Sequence, residues 1–293
     1  MLVNIKEVAR EIYLIDDNLY SLAGCGCVYL INEEKKALID AGPTNSASLI
    51  IEGINKVGIN PEEIDYIIVT HIHLDHAGGA GVLLQKMPKA QVMVHRRGIK
   101  HLVDPDKLMK SMIAVQGEGM LQKVGEMVPI PAERVEPVYD EDKLRLSEEQ
   151  QLQFMETPGH APHELCIYES RNNGVFTGDS VGSYFAEYGI IIPDTPPPNF
   201  DLENYVNTLK RLMSLNASSL YLPHFGINIT VSETLQLVID RMRAWDDMVT
   251  ESLERNEWNS IEEKLITRGC DEIKPAKSAK SLYEHLRNNT ICW

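Results

Sequence analysis

The segment His71-Ile72-His73-Leu74-Asp75-His76, followed by Ala77-Gly78-Gly79, constrains this chain more than any other stretch. Three imidazoles and one carboxylate within six positions are costly to crowd together unless they share a cation. In an extended loop His71 and His73 point the same way, because side chains repeat with a period of two. Asp75 and His76 then turn onto a neighbouring position at a helix start, and Gly78 and Gly79 permit the bend. The segment follows Asp65 to Thr70, a continuous apolar run of the buried-strand type. One such cluster supplies too few ligands for two metal ions, and further candidates stand downstream. Thr157-Pro158-Gly159-His160-Ala161-Pro162-His163, Thr177-Gly178-Asp179-Ser180 and Leu222-Pro223-His224-Phe225-Gly226 each place a histidine or carboxylate where an apolar strand stops. Loops at strand ends are where rigid scaffolds carry their chemistry.

The rest of the chain alternates strands and helices twice and ends in helix. Strands are predicted over 11–15, 27–32, 36–39, 91–94, 151–156, 164–169, 174–177 and 219–222, and helices over 46–57, 79–86, 202–215 and 231–256. Further helices are expected over 261–266 and 278–288. Residues 104–133 carry Met109, Met112, Met120 and Met127 in a loosely helical pattern. They read as plain packing or dimer contact, or as a lid facing substrate, since methionine adapts to irregular surfaces.

Cys25-Gly26-Cys27 reads as a loop entering an apolar strand rather than a metal or redox pair, because no set of Cys or His partners accompanies it. His95, His101 and His285 read as structural or surface histidines. His163 either lines the site or orients the turn after His160, and Tyr184, Phe185 and Tyr188 either cover the substrate or pack. The formal net charge of −15 disfavours nucleic acid, and no basic stripe along the sequence offsets it. No apolar stretch reaches the roughly 20 residues that span a bilayer, and residues 1–7 do not read as a secretion signal. A cytoplasmic location, a small-molecule substrate and a homodimer are the expectations.

In order and content, these motifs resemble the metallo-β-lactamase superfamily across residues 10 to 227. The resemblance extends to glyoxalase II and acyl-homoserine lactonases. It implies a four-layer αββα sandwich of the α/β class over residues 1–227, with a helical C-terminal segment over 228–293 and the site at one edge between two sheets. It further implies one metal ion held by His71, His73 and His160, and a second held by Asp75, His76 and His224. Asp179 would bridge both, and Asp40, in Leu38-Ile39-Asp40-Ala41-Gly42, would orient a ligand. Imidazole and carboxylate donors without thiolate favour Zn²⁺, while Fe and Mn accept the same set. The implied activity is hydrolysis of an ester, thioester or lactone by a hydroxide bridging two metals, with Asp75 and Asp179 as the catalytic carboxylates.

Three other readings stay open at this point: an iron-dependent oxygen-using or persulfide-oxidising enzyme, a phosphodiesterase or nuclease, and a non-catalytic binding member. Lactonases of this superfamily carry a tyrosine three residues after the bridging aspartate, where this chain has Gly182; Tyr184 is the shifted candidate.

Overall fold

Alternating burial along single strands gives each sheet two apolar faces, and this decides the layering. The computed structural model describes residues 3–185 and 190–257. Seven strands lie side by side in chain order. They are β1 (Ile5–Ala9), β2 (Ile12–Asp16), β3 (Cys27–Ile31), β4 (Lys36–Ile39), β5 (Ile64–Ile68), β6 (Gln91–His95) and β7 (Val135–Val138). The pairs from β1 to β4 are antiparallel and those from β4 to β7 parallel. Parallel neighbours need crossovers. Here these are α1 (Ala47–Val57), then α2 (Leu74–Ala77) and α3 (Ala80–Leu83), then α4 (Ile99–Val103), α5 (Asp106–Gln116) and α6 (Gly119–Val124).

The chain then builds β8 (Lys143–Arg145), β9 (Gln151–Glu156), β10 (Leu165–Glu169) and β11 (Gly174–Phe176), followed by a two-stranded ribbon of β12 (Ser183–Phe185) and β13 (Ile190–Ile192). After α7 (Leu202–Ser214) come β14 (Ser219–Leu222), β15 (Gly226–Asn228) and α8 (Val231–Glu254). The second sheet has the order β15-β14-β11-β10-β9-β8.

Strand β3 splits its residues between two cores. Val28 and Leu30 join Ile50 and Ile54 of α1, whereas Tyr29 and Ile31 face Phe154, Ile167, Phe176 and Tyr221 of the second sheet. Strand β14 mirrors this: Tyr221 points between the sheets, and Leu220 and Leu222 point to α7 and α8. Three cores separated by two sheets make the four-layer αββα arrangement expected from the sequence. Each fully buried aliphatic or aromatic side chain contributes about 1.5–3 kcal/mol by leaving water. Leu235, Val238, Ile239 and Met242 place α8 within the third core.

The structure departs from expectation in places. The helix predicted over 79–86 stops at Leu83 and runs out in turns, ahead of Met87-Pro88, because a residue before proline is disfavoured in the helical region. Strands β1, β7, β8, β12, β13 and β15 were not delimited from the sequence. Strand β1 is an edge strand with no fully buried residue, β7 has four residues including Pro137, and the other four have three residues each, too few for a periodic signal. The helices expected over 261–266 and 278–288 lie outside the described residues. Among the described residues, no helix is long and apolar enough to cross a membrane.

Phe154 is fully buried between the sheets. Phe154→Ala is expected to lower unfolding free energy by about 3–5 kcal/mol, measured by urea denaturation; a loss below about 1 kcal/mol would contradict the inter-sheet core.

Candidate metal centre

Four loops at the ends of buried strands deliver the candidate ligating side chains. After β5 the chain passes through Thr70, whose backbone N–H and hydroxyl both donate to Asp40 Oδ1 at 2.8 and 2.9 Å. Asp40 follows β4 and adopts a left-handed conformation at φ 62°, which costs a non-glycine residue energy and persists where surroundings fix it. His73 precedes α2, and Asp75 and His76 lie in it. His160 leaves the end of β9 through Gly159, where a Cβ would strike the backbone of Tyr205 in α7. Asp179 lies in the short helical turn 178–180 after β11, and His224 lies between β14 and β15.

Hydrogen bonds on the far side of each ring decide which nitrogen faces inward. A carbonyl oxygen can only accept, so His160 Nδ1 donates to Asp194 O at 3.1 Å and His224 Nδ1 donates to Cys25 O at 3.1 Å. His76 Nδ1 lies 3.0 Å from Asp40 Oδ2. All three rings therefore present Nε2 to the interior, the usual means of aiming a ligating histidine. His71 Nδ1 lies 3.2 Å from Thr70 Oγ1 and 3.3 Å from Glu164 Oε2, which turns its Nε2 inward as well.

Two ligand groups result. His71, His73, His160 and Asp179 form one, and Asp75, His76 and His224 the other; within each, the donor atoms lie within 4.8 Å of one another. Asp179 stands between them. Its Oδ2 is 3.4 Å from His160 Nε2 and 3.7 Å from His71 Nε2, and its Oδ1 is 3.3 Å from His76 Nε2 and 3.5 Å from His224 Nε2. His73 Nδ1 approaches His71 Nε2 at 2.9 Å and His160 Nε2 at 3.1 Å. Asp179 Oδ1 is buried without a hydrogen-bond partner. Converging ring nitrogens and an orphaned carboxylate oxygen fit a cation, since nitrogen and oxygen donors without thiolate suit Zn²⁺ and related metals.

The electrostatics are those of a crowded, buried cluster. Burial and the neighbouring His76 and His73 rings hold His71 well below its ordinary pKa. Burial and His160 bring His73 down to about 4. For His76, burial favours the neutral ring, but Asp179, Asp75 and Asp40 outweigh it and raise the pKa. His224 is raised in the same way, with Asp179 the largest attractive partner. Burial opposes ionisation of Asp179, yet His76, His224 and His160 together keep it ionised well below the usual range. Glu164, fully buried and beside Asp179, is raised.

All seven sequence-predicted ligands thus come together, with Asp40 against His76. Tyr184 lines the cavity over the cluster. His163 stacks 6.3 Å from His71 but opens into a neighbouring groove instead. His95 accepts from Arg97 N at 3.1 Å and sits 3.3 Å from Glu156, a structural role. Cys27 Sγ donates to Leu222 O, and burial pushes the Cys25 thiol up to about 12. Tyr188 and His285 lie outside the described residues.

Glu164 was not singled out in the sequence. Its Oε1 accepts from Asp179 N at 2.9 Å, and the visible signal was a carboxylate at the start of an apolar strand. Asp17 and Asp194, both pushed up to about 7 by burial, were missed as well.

A cavity of about 560 Å³ opens over the ligands. Leu19, Leu22, Met112, Met120, Phe185 and Phe225 supply much of its wall, and among the described residues no lysine or arginine lines it.

The signature of the metallo-beta-lactamase superfamily matches residues 25–224, and the chain belongs to that superfamily. It is 33% identical to a metallo-beta-lactamase fold-containing protein of Sulfurisphaera tokodaii, over 68% of this chain and 72% of that one. The crystal structure of an archaeal superfamily member from Sulfolobus tokodaii matches with a TM-score of 0.64 at 29% identity, covering 74% of this chain and 80% of the other. A probable metallo-hydrolase of Methanocaldococcus jannaschii is 30% identical over 67% of this chain and 85% of its own. An N-acyl homoserine lactonase of Bacillus cereus is 24% identical over 69% of this chain and 80% of its own.

A metal ion at these groups would have to displace protons from His76 and His224, whose pKa values are raised, but not from His71, His73 and His160, whose values are lowered. Acidification from about pH 8 to 5 is therefore expected to release metal from the group of Asp75, His76 and His224 first. Metal content after dialysis at each pH measures this; simultaneous loss from both groups would contradict it. Glu164→Gln keeps an acceptor for Asp179 N but removes the titratable group beside His71. Metal affinity is expected to fall about 10- to 100-fold in competition with a chromophoric chelator, and an unchanged affinity would remove Glu164 from the site.

Proposed function

We propose that the protein is a dinuclear, zinc-dependent hydrolase of an ester, thioester or lactone. The observation that carries this reading is the Asp179 carboxylate, whose two oxygens face two separate ligand groups at the floor of one cavity. His71, His73 and His160 would hold one ion, Asp75, His76 and His224 the other, and Asp179 both. Bound ions of this kind supply Lewis acidity and bring the pKa of water towards neutrality.

The chain's own residues do the rest. Asp40, Cys25 O, Asp194 O and Glu164 fix the imidazole orientations. Asp75 Oδ2 lies 3.6 Å from His224 Nε2, and its side chain is 22% exposed, so it reaches the cavity as the group that carries a proton to the leaving atom. The apolar walls exclude water from the acyl part of the substrate. The absence of lysine and arginine from the described lining disfavours a phosphodiester there and suits an uncharged acyl group.

The lactonase relative supports the same chemistry on carbonyl compounds. Gly182 has φ +101°, and a Cβ there would collide with the backbone of Ile192, which bars a tyrosine from that position. Tyr184, two residues on and in the cavity wall, is proposed as the hydroxyl that orients the substrate carbonyl.

Metal analysis of protein purified without added metal, paired with ester, thioester, lactone and phosphodiester substrates, tests the reading. Two zinc ions per chain and carbonyl-ester hydrolysis are expected, with Asp179→Asn lowering turnover by at least about 100-fold. Bound iron with oxygen consumption, or phosphodiester cleavage alone, would overturn it.

A further inference from the structure

A second chamber adjoins the metal cavity, and its charge is opposite to that of the molecule. An open groove of about 850 Å³ is lined by Arg96, Arg97, Lys100, Lys107, His101 and His163, with no carboxylate among its described lining residues. The whole chain has 28 basic and 43 acidic residues, so four lysine and arginine side chains around one groove stand against its general trend. Like charges gathered in one concavity repel and raise the local potential for an anion.

Two of the four cations are already engaged: Arg96 pairs with Glu156, and Arg97 donates to Pro162 O at 3.2 Å. Lys100 and Lys107 are exposed and have no carboxylate partner among the described residues. The groove is not isolated. Leu108, Ser111 and Asn199 line both it and the metal cavity. His163 lines the groove and stacks on His71 of the ligand cluster. A molecule crossing this shared wall would have one end over the ligands and the other among the cations.

We infer that the groove is the subsite for a multiply charged anionic tail on the substrate's leaving group, such as a phosphate ester, while the cavity takes an uncharged acyl part. This rests on the hydrolase reading above in its ester or thioester form, since opening a lactone releases no separate alcohol. Hydrolysis joins the oxygen of water to the acyl carbon and breaks the bond from that carbon to oxygen or sulfur. One proton leaves with the alcohol or thiol and another with the acid, which ionises. The anionic alcohol or thiol is released from the groove. The reaction that supplies such a substrate is acyl transfer onto a phosphate-bearing alcohol or thiol.

The test is calorimetric titration of the metal-loaded protein with inorganic pyrophosphate, at low and physiological salt. Binding is expected to weaken with salt and to weaken at least about tenfold in Lys100→Gln/Lys107→Gln. It is expected to survive both in Asp179→Asn and in the remote, equally neutralised control Lys86→Gln/Lys143→Gln. Binding lost in Asp179→Asn but unchanged in the lysine pair would place the anion on the metal centre and overturn the subsite. Equal weakening in the control pair would reduce it to net charge, and preferential binding of an oligothymidylate would make the groove a nucleic-acid surface; either result overturns it. No turnover is needed, so failure here leaves the hydrolase reading standing, and absence of hydrolysis leaves the groove standing.

Discussion

The Asp179 carboxylate is buried between imidazoles from three different loops, and the rest of the architecture depends on making that burial tolerable. A carboxylate taken out of water costs several kcal/mol unless partners compensate. Here compensation comes from His76, His224 and His160, with Glu164 accepting from the Asp179 peptide N–H. Those partners come from both sheets. His76 hangs from the end of β5 in the first, and His160 and His224 from β9 and β14 in the second. The inter-sheet core of Tyr29, Phe154, Phe176 and Tyr221 is therefore what sets the distances at the centre. A shift of one sheet against the other would separate Asp179 from half its partners.

Backbone strain and side-chain chemistry meet at the same place. Asp40 accepts a left-handed conformation, and its carboxylate receives Thr70 and His76 together. Gly159 and Gly178 occupy conformations and spaces that no side chain could share, against α7 and Glu164 respectively. Glycine at these two points lets the loops carrying His160 and Asp179 lie flat on their neighbours. Ligand geometry is thus held by contacts one layer behind the ligands, on fully buried strand ends.

Much of this was legible in the sequence, for physical reasons. His71, His73, Asp75 and His76 announced themselves as candidates because side chains converging from one loop must be close in sequence. His160, Asp179 and His224 were visible because each interrupts an apolar run at a strand end. Strands β3, β9 and β14, which are apolar runs, were predicted to within a residue. Glu164, Asp17 and Asp194 were not, because a buried carboxylate that acts through a neighbouring group looks in sequence like any acidic residue beside a turn. The groove was hidden differently. Arg96 and Arg97 lie in one turn, Lys100 in α4 and Lys107 in α5, and only folding α4 and α5 beside His163 brings them to one surface.

That contrast bears on how net charge is read. A value of −15 describes the field far from the surface, where screening removes most of it within about 10 Å. A ligand at the groove would meet Lys100 and Lys107 at contact distance, and at the cavity it would meet apolar walls and the carboxylates of the His/Asp cluster. The wall between these chambers includes α5, which buries none of its residues, whereas His71, His76 and His160 are almost wholly buried. Few buried apolar contacts mean a low cost of local opening. Hence the His/Asp cluster and the wall between the two chambers belong to parts of the fold with different rigidity. Sequence change in the wall would therefore be tolerated with little effect on the geometry of the buried cluster.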